Sequence, residues 1–242
     1  MIKIIIEFSK LLVALLLVVV LHSCGNFNGI SGNGNVETTK RAVTESFSAI
    51  EAKTGLDVII EQGNTASIIV EADQNLQNHI ITEIQNGVLI IYCDASIVKS
   101  SAQKVYVQVE DINAIKSSSG ATVTTKNGIT APQLLLESSS GSEIDITVSS
   151  EELTCESSSG SEITVAGKAT SVKADASSGS EIDLSKLNAA IAKANASSGS
   201  SSYVNASETI SANASSGSTI KYVGKPKQIS IEESSGGSVK SK

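Results

Sequence analysis

Seven glycines, each preceded by two serines, recur along the C-terminal half of this chain of 242 residues. The intervals between them are 21, 19, 19, 20, 18 and 19 residues. A fixed period with one short turn sequence is typical of a solenoid, whose coils stack because none can bury its apolar face alone. The seven positions are Gly120, Gly141, Gly160, Gly179, Gly199, Gly217 and Gly236.

The residues around each glycine alternate between apolar and polar side chains. Around Gly160, the apolar residues Leu153 and Cys155 stand seven and five positions before the glycine. Ile163 and Val165 stand three and five positions after it. This period of two predicts strands with one buried face. Each repeat is therefore predicted as two short strands that meet at a Ser-Ser-Gly corner, where glycine adopts a positive φ without steric cost.

These patterns predict an all-β fold, a right-handed parallel β-helix with about 19 residues per coil over residues 117–242. Residues 184–194 have helical propensity, but a helix there would break the period between Gly179 and Gly199, so we predict a strand. Residues 36–116 contain strand-like runs without the period. We expect this β-rich N-terminal half to cap one end of the β-helix, because an uncapped end exposes an unpaired edge.

The N-terminus predicts export and lipidation. An apolar run of eleven residues, Leu11 to Leu21, is too short to span a bilayer and is typical of a signal-peptide core. It ends in Leu21-His22-Ser23-Cys24, which resembles a bacterial lipobox and implies removal of residues 1–23 and lipidation of Cys24. An ordinary secretory signal and an uncleaved anchor are the alternatives. Residues 24–35, rich in Gly and Asn, are predicted as a flexible tether.

Composition argues against a nucleic-acid partner and against catalysis. The chain has a net charge of −7, 3% aromatic residues and a single arginine, Arg41, which excludes a basic binding surface. His79 is the one histidine outside the signal, so the repeats offer no Ser/His/Asp arrangement, and we predict no enzyme. Cys93 and Cys155 are predicted as small buried hydrophobic residues, and no cofactor is expected apart from Ca²⁺.

One group of carboxylates is a candidate cation site. Glu143, Glu162 and Glu181 stand two positions after successive glycines, and Asp145 and Asp183 stand two positions further on. Stacked coils would place them about 5 Å apart, where like charges raise one another's pKa and a hard cation such as Ca²⁺ would relieve the repulsion. The alternative is a solvated acidic face. We call this group the acidic ladder.

A series of short motifs resembles a known family, the auto-transporter adhesin, head GIN domain proteins common in Bacteroidetes. The resemblance spans residues 32–240 and implies a β-helical domain, secreted or lipid-anchored, with no catalytic residues to transfer. Its motifs are Gly32-Asn33-Gly34-Asn35-Val36, Phe47-x-x-Ile50, Gly55-Leu56-Asp57-Val58, Gln62-Gly63, Val70-Glu71-Ala72-Asp73-x-Asn75-Leu76, Gly87-x-Leu89-x-Ile91 and the repeated Ser-Gly-Ser corners.

Together these features predict a non-catalytic lipoprotein of the cell envelope, anchored in the outer membrane and facing either the periplasm or the cell surface. Its long face is expected to bind a surface polysaccharide, a protein partner or another copy of itself. The alternative is a carbohydrate-active β-helix enzyme, of the polysaccharide lyase or hydrolase type, that uses the acidic ladder. An enzyme needs a cleft where carboxylates and a base converge, whereas a binding protein can present a smooth stacked face.

Overall fold

The computed structural model describes residues 29–242. Within that range one turn of 3₁₀ helix, Gln74–Leu76, accompanies twenty strands. The strands are β1 (Ile30–Ser31), β2 (Val36–Arg41), β3 (Ala49–Ala52), β4 (Asp57–Gln62), β5 (Ser67–Asp73), β6 (Ile80–Gln85), β7 (Val88–Cys93), β8 (Ile97–Lys99), β9 (Gln103–Val109), β10 (Ala114–Ser117), β11 (Thr122–Thr125), β12 (Ile129–Ser138), β13 (Glu143–Ser157), β14 (Glu162–Ala176), β15 (Glu181–Asp183), β16 (Leu187–Ala196), β17 (Ser201–Ala214), β18 (Thr219–Val223), β19 (Gln228–Glu233) and β20 (Ser238–Ser241).

Strands one repeat apart lie side by side in parallel. β13 pairs with β14 in a register that runs from Glu143 opposite Glu162 to Ser157 opposite Ala176. The chain forms a β-solenoid of about seven turns with about 19 residues per turn, which confirms the predicted fold class. Residues 187–196 form strand β16, as the period between the flanking glycines required.

Each Ser-Ser-Gly corner is a type I′ turn. At the third corner Ser159 has φ 56° and Gly160 has φ 69°, and the Ser161 amide donates to the Ser158 carbonyl at 3.3 Å. A type I′ turn needs positive φ at both central residues. Positive φ was predicted for glycine alone, whereas the serine before each corner glycine also has a positive φ. The Gly160 amide also donates to the carbonyl of Ser178 in the next coil, at 3.1 Å.

The serine after the glycine is buried and holds consecutive corners together. Ser161 Oγ accepts a hydrogen bond from the Ser158 amide at 3.2 Å and lies 2.7 Å from the carbonyl oxygen of Ser138 in the preceding coil. Buried hydroxyls are tolerated when they are hydrogen-bonded. The equivalent serines of four other corners make the same two contacts. They are Ser142, Ser180, Ser200 and Ser218.

The core of the solenoid consists of stacked columns of aliphatic side chains. One column contains Ile144, Ile163 and Ile182 as register neighbours, all fully buried. It continues through Ser202 to Ile220, and Ser202 is equally buried. The Ser202 hydroxyl has no hydrogen-bond partner among the described residues. A single polar atom therefore interrupts an otherwise apolar column.

The solenoid begins earlier in the chain than the Ser-Ser-Gly period indicates. β3 and β4 flank a corner made by Thr54 and Gly55, which both have positive φ, and they pair in parallel with β10 and β11 of the first Ser-Ser-Gly coil. The predicted boundary between residues 116 and 117 therefore falls within strand β10, inside the stack of coils. Residues 63–112 form an excursion between two adjacent coils.

The excursion covers the N-terminal end of the solenoid. β7 and β9 add a parallel layer to β3 and β4. β6 then pairs with β7, and β5 with β9, in antiparallel orientation, and β2 pairs with β5. Asn86 and Gly87, which both have positive φ, form the tight turn that joins β6 to β7. We call β2 and residues 63–112 together the cap.

The two ends of the chain differ from each other. Residues 29–35, predicted as part of the tether, lie against the cap, where β1 pairs with β8; residues 24–28 lie outside the described range. At the other end β19 is exposed along its whole length. Ile229 and Ile231 occupy columns that are buried in the preceding coil, yet they are 52% and 43% exposed. This last coil has no covering layer among the described residues.

Candidate functional site

A shallow groove follows the solenoid axis beside the Ser-Ser-Gly corners. Its walls are the polar residue four positions before each glycine and the serine two positions before it. The polar residue points outward because the residues on either side of it in the strand point into the core. The groove residues are Glu137, Ser139, Glu156, Ser158, Asp175, Ser177, Asn195, Ser197, Asn213 and Ser215.

Two adjoining cavities make up this groove. The first has a volume of about 390 Å³ and the second about 310 Å³, and they share Asp175 and Ser177. The groove is therefore continuous across at least five coils. Because stacked strands lie about 4.8 Å apart, it presents one carboxylate or amide and one hydroxyl at each such step.

The groove changes chemical character along its length. Its first half carries carboxylates, and Glu137 forms an ion pair with Lys116 at 2.6 Å. At its middle Asp175 pairs with Lys173 at 2.5 Å and accepts a hydrogen bond from Asn195 Nδ2 at 2.6 Å. The hydrogen bond and the charge of Asp175 raise the pKa of Lys173. Its second half carries neutral amides, so a ligand would meet hydrogen-bonding groups along the whole groove and negative charge only on one half.

The groove was not predicted from the sequence. The polar position between the inward residues was interpreted only as the outward face of a strand. One available signal was its chemistry, because the side chain at this position is an acid or an amide in every repeat from Glu137 to Glu232. The adjacent serine had been assigned to the turn alone.

The acidic ladder follows each Ser-Ser-Gly corner in sequence, whereas the groove residues precede it. The strands that carry the ladder pair in the expected register. Glu143 pairs with Glu162, and Glu162 with Glu181. Asp145 and Asp183 share a column but are separated by Thr164. Partial burial, followed by the charges of Glu162 and Asp183, raises the pKa of Glu181, and Lys221 opposes this.

The ladder carboxylates are spread along the face. Across residues 29–242 no three Asp, Glu, His or Cys side chains converge as metal ligands would. The Ca²⁺ site thus remains a prediction.

The histidine and the two cysteines considered above do not line the groove. His79 Nδ1 lies 2.8 Å from Asp94 Oδ1 in the cap. Both residues precede, in the sequence, the repeats that carry the carboxylates. Cys93 and Cys155 are buried and unpaired, as predicted, and burial raises the pKa of both thiols. Cys24 and the signal peptide lie outside the described residues. Residues 29–242 contain no helix long and apolar enough to cross a membrane.

The fold and the groove define a capped β-solenoid with an extended polar face. Residues 46–226 match the family described as "Putative auto-transporter adhesin, head GIN domain". The chain belongs to this family, as its motifs indicated, and the family description points to a protein of the cell surface or envelope. It names an adhesin and no enzymatic activity.

Solved structures with the same fold come from Bacteroides and Parabacteroides species. A putative adhesin from Bacteroides fragilis has a TM-score of 0.83 and 21% identity, with 88% of this chain and 100% of that chain covered. A putative lipid binding protein from Parabacteroides distasonis has a TM-score of 0.72 and 20% identity, with 88% and 99% covered. A putative adhesin from Parabacteroides merdae has a TM-score of 0.70 and 18% identity, with 88% and 98% covered. The search of curated proteins gave no match.

Proposed function

We propose that this protein is a non-catalytic lipoprotein of the cell envelope that binds an extended, hydroxyl-rich polymer, such as a surface polysaccharide, along its groove. The observation that carries this proposal is the continuity of the groove across consecutive coils. A ligand with its own repeat along its length can meet equivalent groups at each step. The adhesin description of the family agrees with a binding role.

The groups that line the groove suit hydroxyl recognition. Carboxylate and amide oxygens accept hydrogen bonds from a sugar, while serine hydroxyls and amide nitrogens can donate. The carboxylates of the first half disfavour an anionic polymer. The ligand class is therefore neutral or weakly cationic.

Catalysis is not part of the proposal. Hydrolysis of a glycosidic bond needs two carboxyl groups that flank one bond, with a distinct pKa for each. The groove carboxylates Glu137, Glu156 and Asp175 follow one another along the axis and do not face one another across it. A carbohydrate-active enzyme, the alternative predicted from the sequence, would use the acidic ladder and not these groove carboxylates.

Anchorage rests on Leu21-His22-Ser23-Cys24. Lipidation of Cys24 would hold the protein on the outer membrane, since multiple acyl chains retain a protein on a bilayer without a spanning helix. The protein would face the periplasm or the cell surface. In Cys24→Ser, we expect the protein to leave the membrane fraction and to lose fatty-acid labelling. Continued membrane association of this variant contradicts the proposal.

The groove is tested by a glycan array with the soluble form that begins at Gly25. Asp175→Lys changes the charge where the two cavities meet, and Glu162→Lys makes the same change on the acidic ladder. Losing a hydrogen bond to a charged group costs about 1.5–3 kcal/mol, so Asp175→Lys should weaken binding about tenfold or more. Glu162→Lys should bind as the parent does. The opposite ranking assigns binding to the ladder, and no bound glycan contradicts the proposed ligand class.

A further inference from the structure

The N-terminal segment is attached to the cap from the first described residue onward. Ile30 donates its amide to the Ser96 carbonyl at 2.8 Å, and Gly32 donates to the Lys99 carbonyl at 2.7 Å. A Cβ added at Gly29 would lie 2.3 Å from Val98 Cγ2, so the backbone of Gly29 packs directly on Val98. We call residues 29–35 the strap.

A buried carboxylate fixes the strap. Asp73 is fully buried and accepts hydrogen bonds from the amides of Gly34 and Ser101. A Cβ added at Gly32 would lie 2.5 Å from Asp73 Cγ, so the strap passes close over this side chain. Asn75 adds two contacts, because its amide group accepts from Asn33 N and donates to Ser31 O, each at 2.9 Å. These hydrogen bonds hold the strap in a defined position against the cap.

The strap begins beside an exposed apolar residue. Val98 is 62% exposed, more than any other large hydrophobic residue in the described range, and Lys99 beside it is also exposed. Ile30 and Ile97, paired between β1 and β8, are half-buried beneath them. An apolar side chain next to a lysine suits the interface of a bilayer, where the lysine meets anionic headgroups.

The distance from this patch to the lipid anchor is short. Five peptide steps separate Cys24 from Gly29, so even a fully extended chain keeps the anchor within about 18 Å of Gly29, which packs on Val98. We infer that the cap contacts the membrane through Val98 and Lys99, which points the far end of the solenoid away from the bilayer. This inference rests on the proposed lipidation of Cys24 and adds an orientation and a contact surface to it.

Site-directed fluorescence tests the orientation. Because Cys93 and Cys155 are buried, a cysteine introduced at an exposed site can be labelled selectively. The sites are Ser96→Cys at the cap, Lys168→Cys on a central coil and Ser241→Cys on the last strand, each in the lipidated mature protein. Bimane-labelled proteins are bound to vesicles of phosphatidylethanolamine and phosphatidylglycerol that contain a headgroup-nitroxide lipid. We expect quenching several-fold stronger at position 96 than at the other two.

Equal or stronger quenching at position 168 or 241 overturns the orientation. The contact itself is tested in the Ser96→Cys background. Val98→Asp should reduce quenching there, whereas Ile229→Asp, at a similarly exposed apolar residue of the far end, should not. Unchanged quenching with Val98→Asp overturns the contact. Failure of every labelled protein to float with the vesicles overturns the anchorage instead, so the two failures are distinguishable.

Discussion

The unpaired hydroxyl of Ser202 gives the sharpest prediction of stability. Ser202 stands between Ile182 and Ile220 in a buried column, and its Oγ has no hydrogen-bond partner within residues 29–242. In the unfolded chain water solvates this hydroxyl. Burying it without a partner costs about 1–3 kcal/mol, and alanine removes the polar atom while keeping Cβ. We expect Ser202→Ala to raise the free energy of unfolding by about 1 kcal/mol or more.

Ser200 supplies a matched control two residues away. It is equally buried, but its Oγ accepts from the Ser197 amide at 3.1 Å and lies 2.9 Å from the Ala176 carbonyl oxygen. Each satisfied hydrogen bond that is removed costs about 0.5–1.5 kcal/mol, and Ser200→Ala removes these two. Ser200→Ala should therefore lower stability, so one substitution type gives opposite signs at two neighbouring positions.

Urea and thermal unfolding measure both effects. For a protein of this size, 1 kcal/mol shifts Tm by about 2–4 °C. In urea the midpoint should move while the slope stays constant, because neither change alters the surface exposed on unfolding. A Ser202→Ala protein no more stable than the parent refutes the reasoning. It would mean that the hydroxyl has a partner, such as an interior water.

Further predictions concern two glycines, the buried carboxylate of Asp73 and the acidic ladder. Gly160→Ala should cost roughly 1–2 kcal/mol, because its φ is 69° but no atom lies within 4 Å of an added Cβ. Gly167→Ala should cost clearly more, since its Cβ would lie 2.0 Å from the Val148 carbonyl oxygen; equal urea midpoints contradict this. The Ser101 amide, and then those of Gly34 and Ala102, hold the pKa of Asp73 below its ordinary value of 3.8 despite burial. This stability is present above pH 3.8 and lost as the pH falls through the lowered pKa, so the deficit of Asp73→Asn should be largest at neutral pH and shrink in acid; a pH-independent deficit contradicts it. Millimolar Ca²⁺ should raise Tm if the acidic ladder binds it, and Glu162→Gln should remove most of that shift. No shift in the parent leaves the ladder a solvated face.

The repeated part of the fold follows from local signals. Each corner places glycine where φ must be positive, and each strand alternates apolar and polar residues, so neighbouring coils could be aligned from the sequence alone. The first corner was not predicted, because it has Thr54 and Gly55 in place of the Ser-Ser-Gly sequence. Its neighbour in space, Gly120, lies 65 residues away in sequence. No local pattern reports a pairing across such an excursion.

Other features depend on tertiary contacts that composition conceals. The strap was predicted as a flexible tether because Gly and Asn favour coil, yet its amides are satisfied by Asp73 and Asn75. The groove arises only when stacking aligns outward groups from several coils. In one coil, Glu156 and Ser158 are simply an exposed acid and a turn residue. The ladder register could be predicted, because it depends on the period alone.

The identical corners have a consequence for how such molecules can change in size. The bond from Gly160 to Ser178 recurs from Gly141 to Ser159 and from Gly179 to Ser198. Removing residues 160–178 would join Ser159 to Gly179 and regenerate a Ser-Ser-Gly corner. Recombination between repeats can thus add or delete whole coils while both ends stay intact. The reach of the molecule is then a heritable quantity that changes in steps of about 4.8 Å.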